Sequence, residues 1–156
     1  MNLRLIALIG AVMIIALIAA GCGDSDDDDT TTASLTKAEF LKQGNAICSA
    51  GNREIEADFE AFAKENNLEN KAPSDAQFEE IAESTLIPSV SKQVEELRAL
   101  GVPSGEEDQV DTLLDNAEEA VEELEEDPGS LSGNEDPFAD VNQEARAYGL
   151  TACGEE

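Results

Sequence analysis

Val110-Asp111-Thr112-Leu113-Leu114-Asp115-Asn116-Ala117-Glu118-Glu119-Ala120-Val121-Glu122-Glu123-Leu124 fixes the kind of fold. Val110, Leu113, Leu114, Ala117, Val121 and Leu124 recur at three- and four-residue steps, the period of a helix with one buried stripe. The carboxylates Glu118, Glu119, Glu122, Glu123, Glu125 and Glu126 mostly lie opposite that stripe. No stretch of the chain alternates with period two. Helices packed on helices around one core are therefore predicted.

Working upstream, Thr36-Lys37-Ala38-Glu39 reads as a capping box that opens a first helix running to about Asn66. Phe40, Gly44, Ile47, Cys48, Gly51, Ile55, Phe59 and Phe62 share about a third of its circumference. A loop from Asn67 to Pro73 leads to a second capping box, Ser74-Asp75-Ala76-Gln77. Phe78, Ile81, Ala82 and Thr85 then face one way; Leu86, Val90, Val94 and Leu97 face another. Pro88 falls at the change, so a kinked helix or two abutting short ones are expected. Gly101-Val102-Pro103 stops it.

Ser104-Gly105-Glu106-Glu107 reads as a third capping box before the 110–124 stripe. Downstream, a Gly- and Ser-rich loop (129–135) precedes a short helix. Asp136 is expected to cap it and Pro137 to take its first position. Phe138, Val141, Ala145 and Tyr148 share one side. Gly149 ends the helix, and Leu150 is placed to fold back. The expected fold is all-α: an antiparallel four-helix bundle with a kinked second helix. Phe59, Phe62, Phe78, Phe138 and Tyr148 are assigned to its core, and Arg53 and Arg146 to ion pairs between helices.

The amino-terminal end has another character. Arg4 precedes an apolar run from Leu5 to Ala20, and Ala19-Ala20-Gly21 leads into Cys22. This resembles a bacterial lipoprotein signal, in which the cysteine receives a diacylglyceryl group and becomes the first residue. Three segments follow: a signal peptide (1–21), a lipidated Cys22 with an acidic linker (22–34) and a helical domain (35–156). The resemblance implies a cell-membrane location on the extracytoplasmic face. It implies a lipid anchor that includes an amine-linked acyl chain such as palmitate where the host supplies it. The linker holds Asp24, Asp26 and Asp28 at calcium-loop spacing. Asp29 stands where such a loop needs glycine and Leu35 where it needs glutamate, so it reads as a solvated tether.

Composition limits the chemistry. The chain has 156 residues, 41% of them hydrophobic, 36 acidic against 9 basic side chains, no histidine and no tryptophan, for a net charge of −27. Removing residues 1–21, whose one charged side chain is Arg4, moves that charge to −28. Such a charge excludes nucleic acid as a partner. Without histidine the commonest general base and metal ligand are missing. No catalytic spacing, cofactor motif or metal-ligand set is present, so catalytic, cofactor and metal assignments are all none.

Cys22 belongs to the signal, which leaves Cys48 and Cys153 as an even pair for a structural disulfide. Gly44, Cys48 and Gly51 stand at i, i+4 and i+7. The two glycines are read as admitting the tail after Gly149, so that Cys153 reaches Cys48, with Asn52 bonding the tail backbone. Ile47-Cys48 with Asn52, the Pro88 region with Leu97-x-x-Leu100, and Tyr148-Gly149-Leu150-x-x-Cys153-Gly154 resemble a group of small exported actinobacterial proteins, many of them lipoproteins. The resemblance spans roughly residues 35–154. It implies a secreted helical domain and no particular chemistry.

Function narrows to two classes. The first is a monomeric binding or interaction module at the cell surface. Its partner would be a basic protein or divalent cations meeting the acidic face of Glu118, Glu122 and Glu125. The second is an envelope enzyme working with carboxylates alone. A solid interior favours the first, convergent polar groups in a cavity the second.

Overall fold

The computed structural model describes residues 35–68, 70–133 and 136–155. The signal segment, the acidic linker and Cys22 lie outside the described residues. What is described is all-α: four helices, the second interrupted by one wide turn.

Helix α1 (Lys37–Glu65) opens as its sequence requires. The Thr36 hydroxyl accepts from the Glu39 amide, and the Glu39 carboxylate takes the Thr36 amide at 3.0 Å. The Thr36 hydroxyl, which also donates to the Glu39 carboxylate at 2.6 Å, and then the Thr36 amide hold the Glu39 carboxyl below its ordinary range. Phe40, Gly44, Cys48 and Gly51 are buried. Farther along, the expected core assignment gives way: Phe59 is 42% exposed and Phe62 only half-buried.

Helix α2 (Asp75–Ile81) starts with the Gln77 side chain accepting from the Ser74 amide at 2.9 Å. A π-helical turn, Ala82–Leu86, then joins it to α3 (Ile87–Ala99), and the Ile87 amide reaches back five residues to the Ala82 carbonyl. The extra residue in that turn rotates every later side chain by about 100° about the axis. This is why the apolar face shifts between Thr85 and Leu86. Pro88 follows at once in α3, and since the preceding turn is itself helical, its missing amide leaves a gap in the ladder there. The wide turn and the proline together make the break.

Helix α4 (Glu107–Glu126) begins later than its sequence suggests. Gly105 turns the chain with φ +84°, so Ser104 lies ahead of the helix and Glu106 takes the cap position. The Glu107 carboxylate accepts from the Gly105 amide at 2.8 Å. The expected capping box at 104–107 is therefore not formed. The Gly- and Ser-rich segment holds a short 3-10 turn, Pro128–Ser132, which packs on α2. Helix α5 (Ala139–Tyr148) starts two residues after Pro137, with Asp136 still accepting from the Phe138 amide at 2.9 Å. Gly149 has φ +113°, and the Leu150 amide returns to the Ala145 carbonyl at 2.9 Å, closing a left-handed glycine cap.

Helix α1 packs on α3, α3 on α4 and α4 on α5. Gly44 lies opposite Leu97 and Gly51 opposite Gln93, so α1 and α3 run antiparallel. Phe40, Val94, Leu97, Val110, Leu113, Leu114, Tyr148 and Leu150 belong to the main core. The Phe40 and Tyr148 rings meet edge-on at 6.2 Å. Lys37 stands over the Tyr148 ring and pairs with Glu106 at 2.9 Å. Helices α1 and α5, at the two ends of this packing order, have no extensive contact among the described residues. The segment after Gly149 spans the interval.

Candidate functional site

That tail is held by α1 at three neighbouring positions. Cys48 and Cys153 are joined by a disulfide across 105 residues of sequence, with Cα atoms 4.9 Å apart. One turn beyond, Asn52 donates to the Ala152 carbonyl at 2.8 Å. One turn before, Asn45 donates to the Gly149 carbonyl at 3.0 Å and accepts from the Ala152 amide at 2.8 Å. A helical turn returns to the same face every three to four residues, so 45, 48 and 52 form one row. Two asparagine side chains thus satisfy backbone groups of an irregular segment, with the covalent link between them. Asn45 escaped the sequence reading, although its place in that row is a visible signal.

The two glycines divide. A Cβ on Gly44 would stand 2.6 Å from Leu150 and 3.0 Å from Leu97, so Gly44 admits both tail and α3. Gly51 corrects the expectation: the nearest atoms to a Cβ there all belong to Gln93 of α3, and would overlap it. Adjacent helix residues point about 100° apart, so Gly51 faces α3 while Asn52 faces the tail. Gly154 lies against the Asn142 carbonyl and Arg146 of α5, and Arg146 donates to its carbonyl. Arg53 takes part in none of the ion pairs formed by Lys37, Lys64, Lys92 and Arg98.

Between these elements lies a cleft of about 780 Å³, within the range of small-molecule sites. Ile55 and Phe59 come from α1, Val90 from α3, Ala117 from α4, Val141 from α5 and Leu150 from the tail. The disulfide forms part of the wall. Half-exposed Phe59 and Ile55 are therefore not stray surface residues; they face the cleft. Its polar side chains include Asn52 and Gln93, with the carboxylates Glu56, Glu60, Asp136 and Glu155 exposed around it. Gln93 stands within the apolar row of Leu86, Val90, Val94 and Leu97, which marked it in the sequence as an exception.

On α4, Glu118, Glu122 and Glu125 are all exposed. Glu118 accepts from Arg98 at 2.8 Å and Asp115 accepts from the same guanidinium at 2.6 Å, so one of the three is already paired. Among the described residues no group of three or more aspartate, glutamate or cysteine side chains is arranged to hold a metal ion. No helix among them is long and apolar enough to cross a membrane. No protein-family model, curated protein or solved structure matches the chain.

Proposed function

We propose that this chain is an extracytoplasmic binding protein, held at the cell membrane by lipid on Cys22, whose helical domain takes up a small apolar molecule in the cleft. The cleft carries this reading. A bundle that served structure alone would close over Ile55, Phe59, Val90 and Val141, because each exposed aliphatic or aromatic group forgoes about 25 cal/mol per Å² of burial. Here they surround about 780 Å³ of space instead. Both cysteines of the domain are committed to the disulfide, which leaves no thiol nucleophile there.

Two measurements test the reading. A neutral solvatochromic dye such as Nile red should bind saturably at one site per chain. Ala117→Trp, which projects an indole into the cleft, should abolish that binding while far-ultraviolet circular dichroism is retained. Non-saturable dye uptake that ignores Ala117→Trp would overturn it. For the anchor, mass spectrometry should find a mature amino terminus at diacylglyceryl-Cys22, and Cys22→Ser should block processing. An unlipidated product that retains Met1 would exclude it.

A second reading keeps the outer face of α4 as a landing surface for a basic protein, since Glu122 and Glu125 enter no ion pair among the described residues. Neutralising Glu118, Glu122 and Glu125 together would then slow association more than it speeds dissociation.

A further inference from the structure

The cleft is charged in one sense. Every ionisable side chain around it, Glu56, Glu60, Asp136 and Glu155, is a carboxylate, and no lysine or arginine lines it. Glu60 is only loosely engaged, with Lys64 at 3.4 Å and both side chains more than half exposed. Asp136 is occupied by the Phe138 amide and the Asn142 side chain. Glu56 and Glu155 enter no ion pair among the described residues.

Inside the cleft the signal is different. Gln93 is more than nine-tenths buried and pressed against the bare backbone of Gly51. Its carboxamide lines the cleft and makes no hydrogen bond with any described residue. Its nitrogen and oxygen are not enclosed by protein but open on the cleft, so this mostly buried side chain presents an unpaired donor and acceptor to whatever occupies that space. Gly51 reinforces the point. A glycine inside a helix is unfavourable relative to alanine, and its absent side chain is what lets Gln93 take this position.

We infer that the ligand of the cleft is a cationic amphiphile: an apolar body among Ile55, Phe59, Val90 and Val141, a hydrogen-bonding group within reach of Gln93, and a positive end among the carboxylates. This rests on the cleft being a binding site. A chain of net charge −27 opposes anionic amphiphiles of the same length. Exposed charges attract modestly and are screened within about 8–10 Å, so the preference is graded rather than absolute.

The full chain, in discs of zwitterionic lipid with free probe fixed by dialysis, is titrated with dodecylamine, dodecanol and dodecanoate against bound Nile red. Dodecylamine should displace the dye at a free concentration about tenfold below dodecanol, with dodecanoate weakest. The gap should close in 0.5 M salt and in E56Q/E60Q/E155Q. Gln93→Leu should weaken all three probes severalfold without changing their order. Equal displacement by the three, or dodecanoate strongest, overturns the cationic preference and leaves the cleft reading standing. Unchanged affinities in Gln93→Leu remove that residue from the site. No displacement by any probe, with dye binding insensitive to Ala117→Trp, removes the site and the inference together.

Discussion

Gly51 and Gln93 occupy one volume between them: the hydrogen side chain of one leaves the space that the carboxamide of the other fills. Gly44 makes the same kind of space for Leu150, but with a different neighbour. Gln93 is a flexible side chain with a cleft to move into, whereas Leu150 is 1% exposed and fixed. Gly51→Ala should therefore change stability by less than about 1 kcal/mol, as helix propensity offsets the displaced amide. Gly44→Ala should lose about 1–3 kcal/mol through overpacking. Urea unfolding of the two variants checks the contrast. Equal losses would mean that Gln93 is held as rigidly as Leu150.

Reducing the Cys48–Cys153 disulfide frees a loop of 105 residues. The chain-entropy relation gives about 4–5 kcal/mol for that length. Thermal unfolding with and without reductant should show the loss as a fall of many degrees. Dye binding should weaken with it, because Cys153 and Leu150 leave the cleft wall. Thiol labelling that finds Cys48 and Cys153 both reactive in native protein would contradict the disulfide.

The asparagines that hold the tail should not be equivalent. Asn45 serves two backbone groups of the tail and Asn52 one. Ala152 is buried, so Asn45→Ala strands its amide, and a loss of about 2–3 kcal/mol is expected. Asn52→Ala should lose about 1 kcal/mol. A larger effect at Asn52 would reverse the assigned hierarchy.

Tyr148 is the only tyrosine in a chain without tryptophan, so near-ultraviolet absorbance reports this phenol alone. Burial, with the Glu106 carboxylate beside it, pushes its pKa from 10.0 up to about 12. The phenolate is disfavoured in the folded state, so the stability tied to this group is complete below pH 10 and lost as pH rises towards 12. A titration near 295 nm should show ionisation delayed to that range and coincident with unfolding. Tyr148→Phe should remove this contribution to alkaline sensitivity. It should change stability at pH 7 by less than about 1 kcal/mol, because the hydroxyl's one polar neighbour is the Glu106 carboxylate and no well-formed hydrogen bond joins them.

Calcium should stabilise the protein no more than sodium salt of equal ionic strength. The chain repels itself at net −27, and both salts screen that repulsion. The described residues offer no cluster of ligands beyond it. A saturable excess effect of calcium in a melting series would show a specific site.

Helical period, the Thr36 and Ser74 starts and the glycine stop at 149 were legible because each depends on a few adjacent residues. The change of face at Thr85–Leu86 was legible too, but its cause was not. Pro88 marked the place, while the form of the break, one five-residue hydrogen-bond step, is a matter of register that no side chain announces. The start of α4 departs from its sequence pattern because Ser104 and Glu107 have capping-box spacing, yet the left-handed Gly105 between them sends the chain elsewhere. The cleft was hidden for a deeper reason. Periodicity shows which residues turn away from water; it does not show whether facing stripes are close enough to touch. Phe59 has the pattern of a core residue and the exposure of a rim.

The separation of the two half-cystines also bears on how the molecule comes into being. A chain emerging amino end first presents Cys48 and then 104 residues without another cysteine before its partner arrives. Throughout that interval the one cysteine available for mispairing is Cys22, and thioether formation there would withdraw it. Within the helical domain a single pairing is then open, and it can form only after the residues of every helix have been made. The cleft wall is thus completed last, and a quality-control step that senses a free Cys48 thiol would report whether that wall is closed.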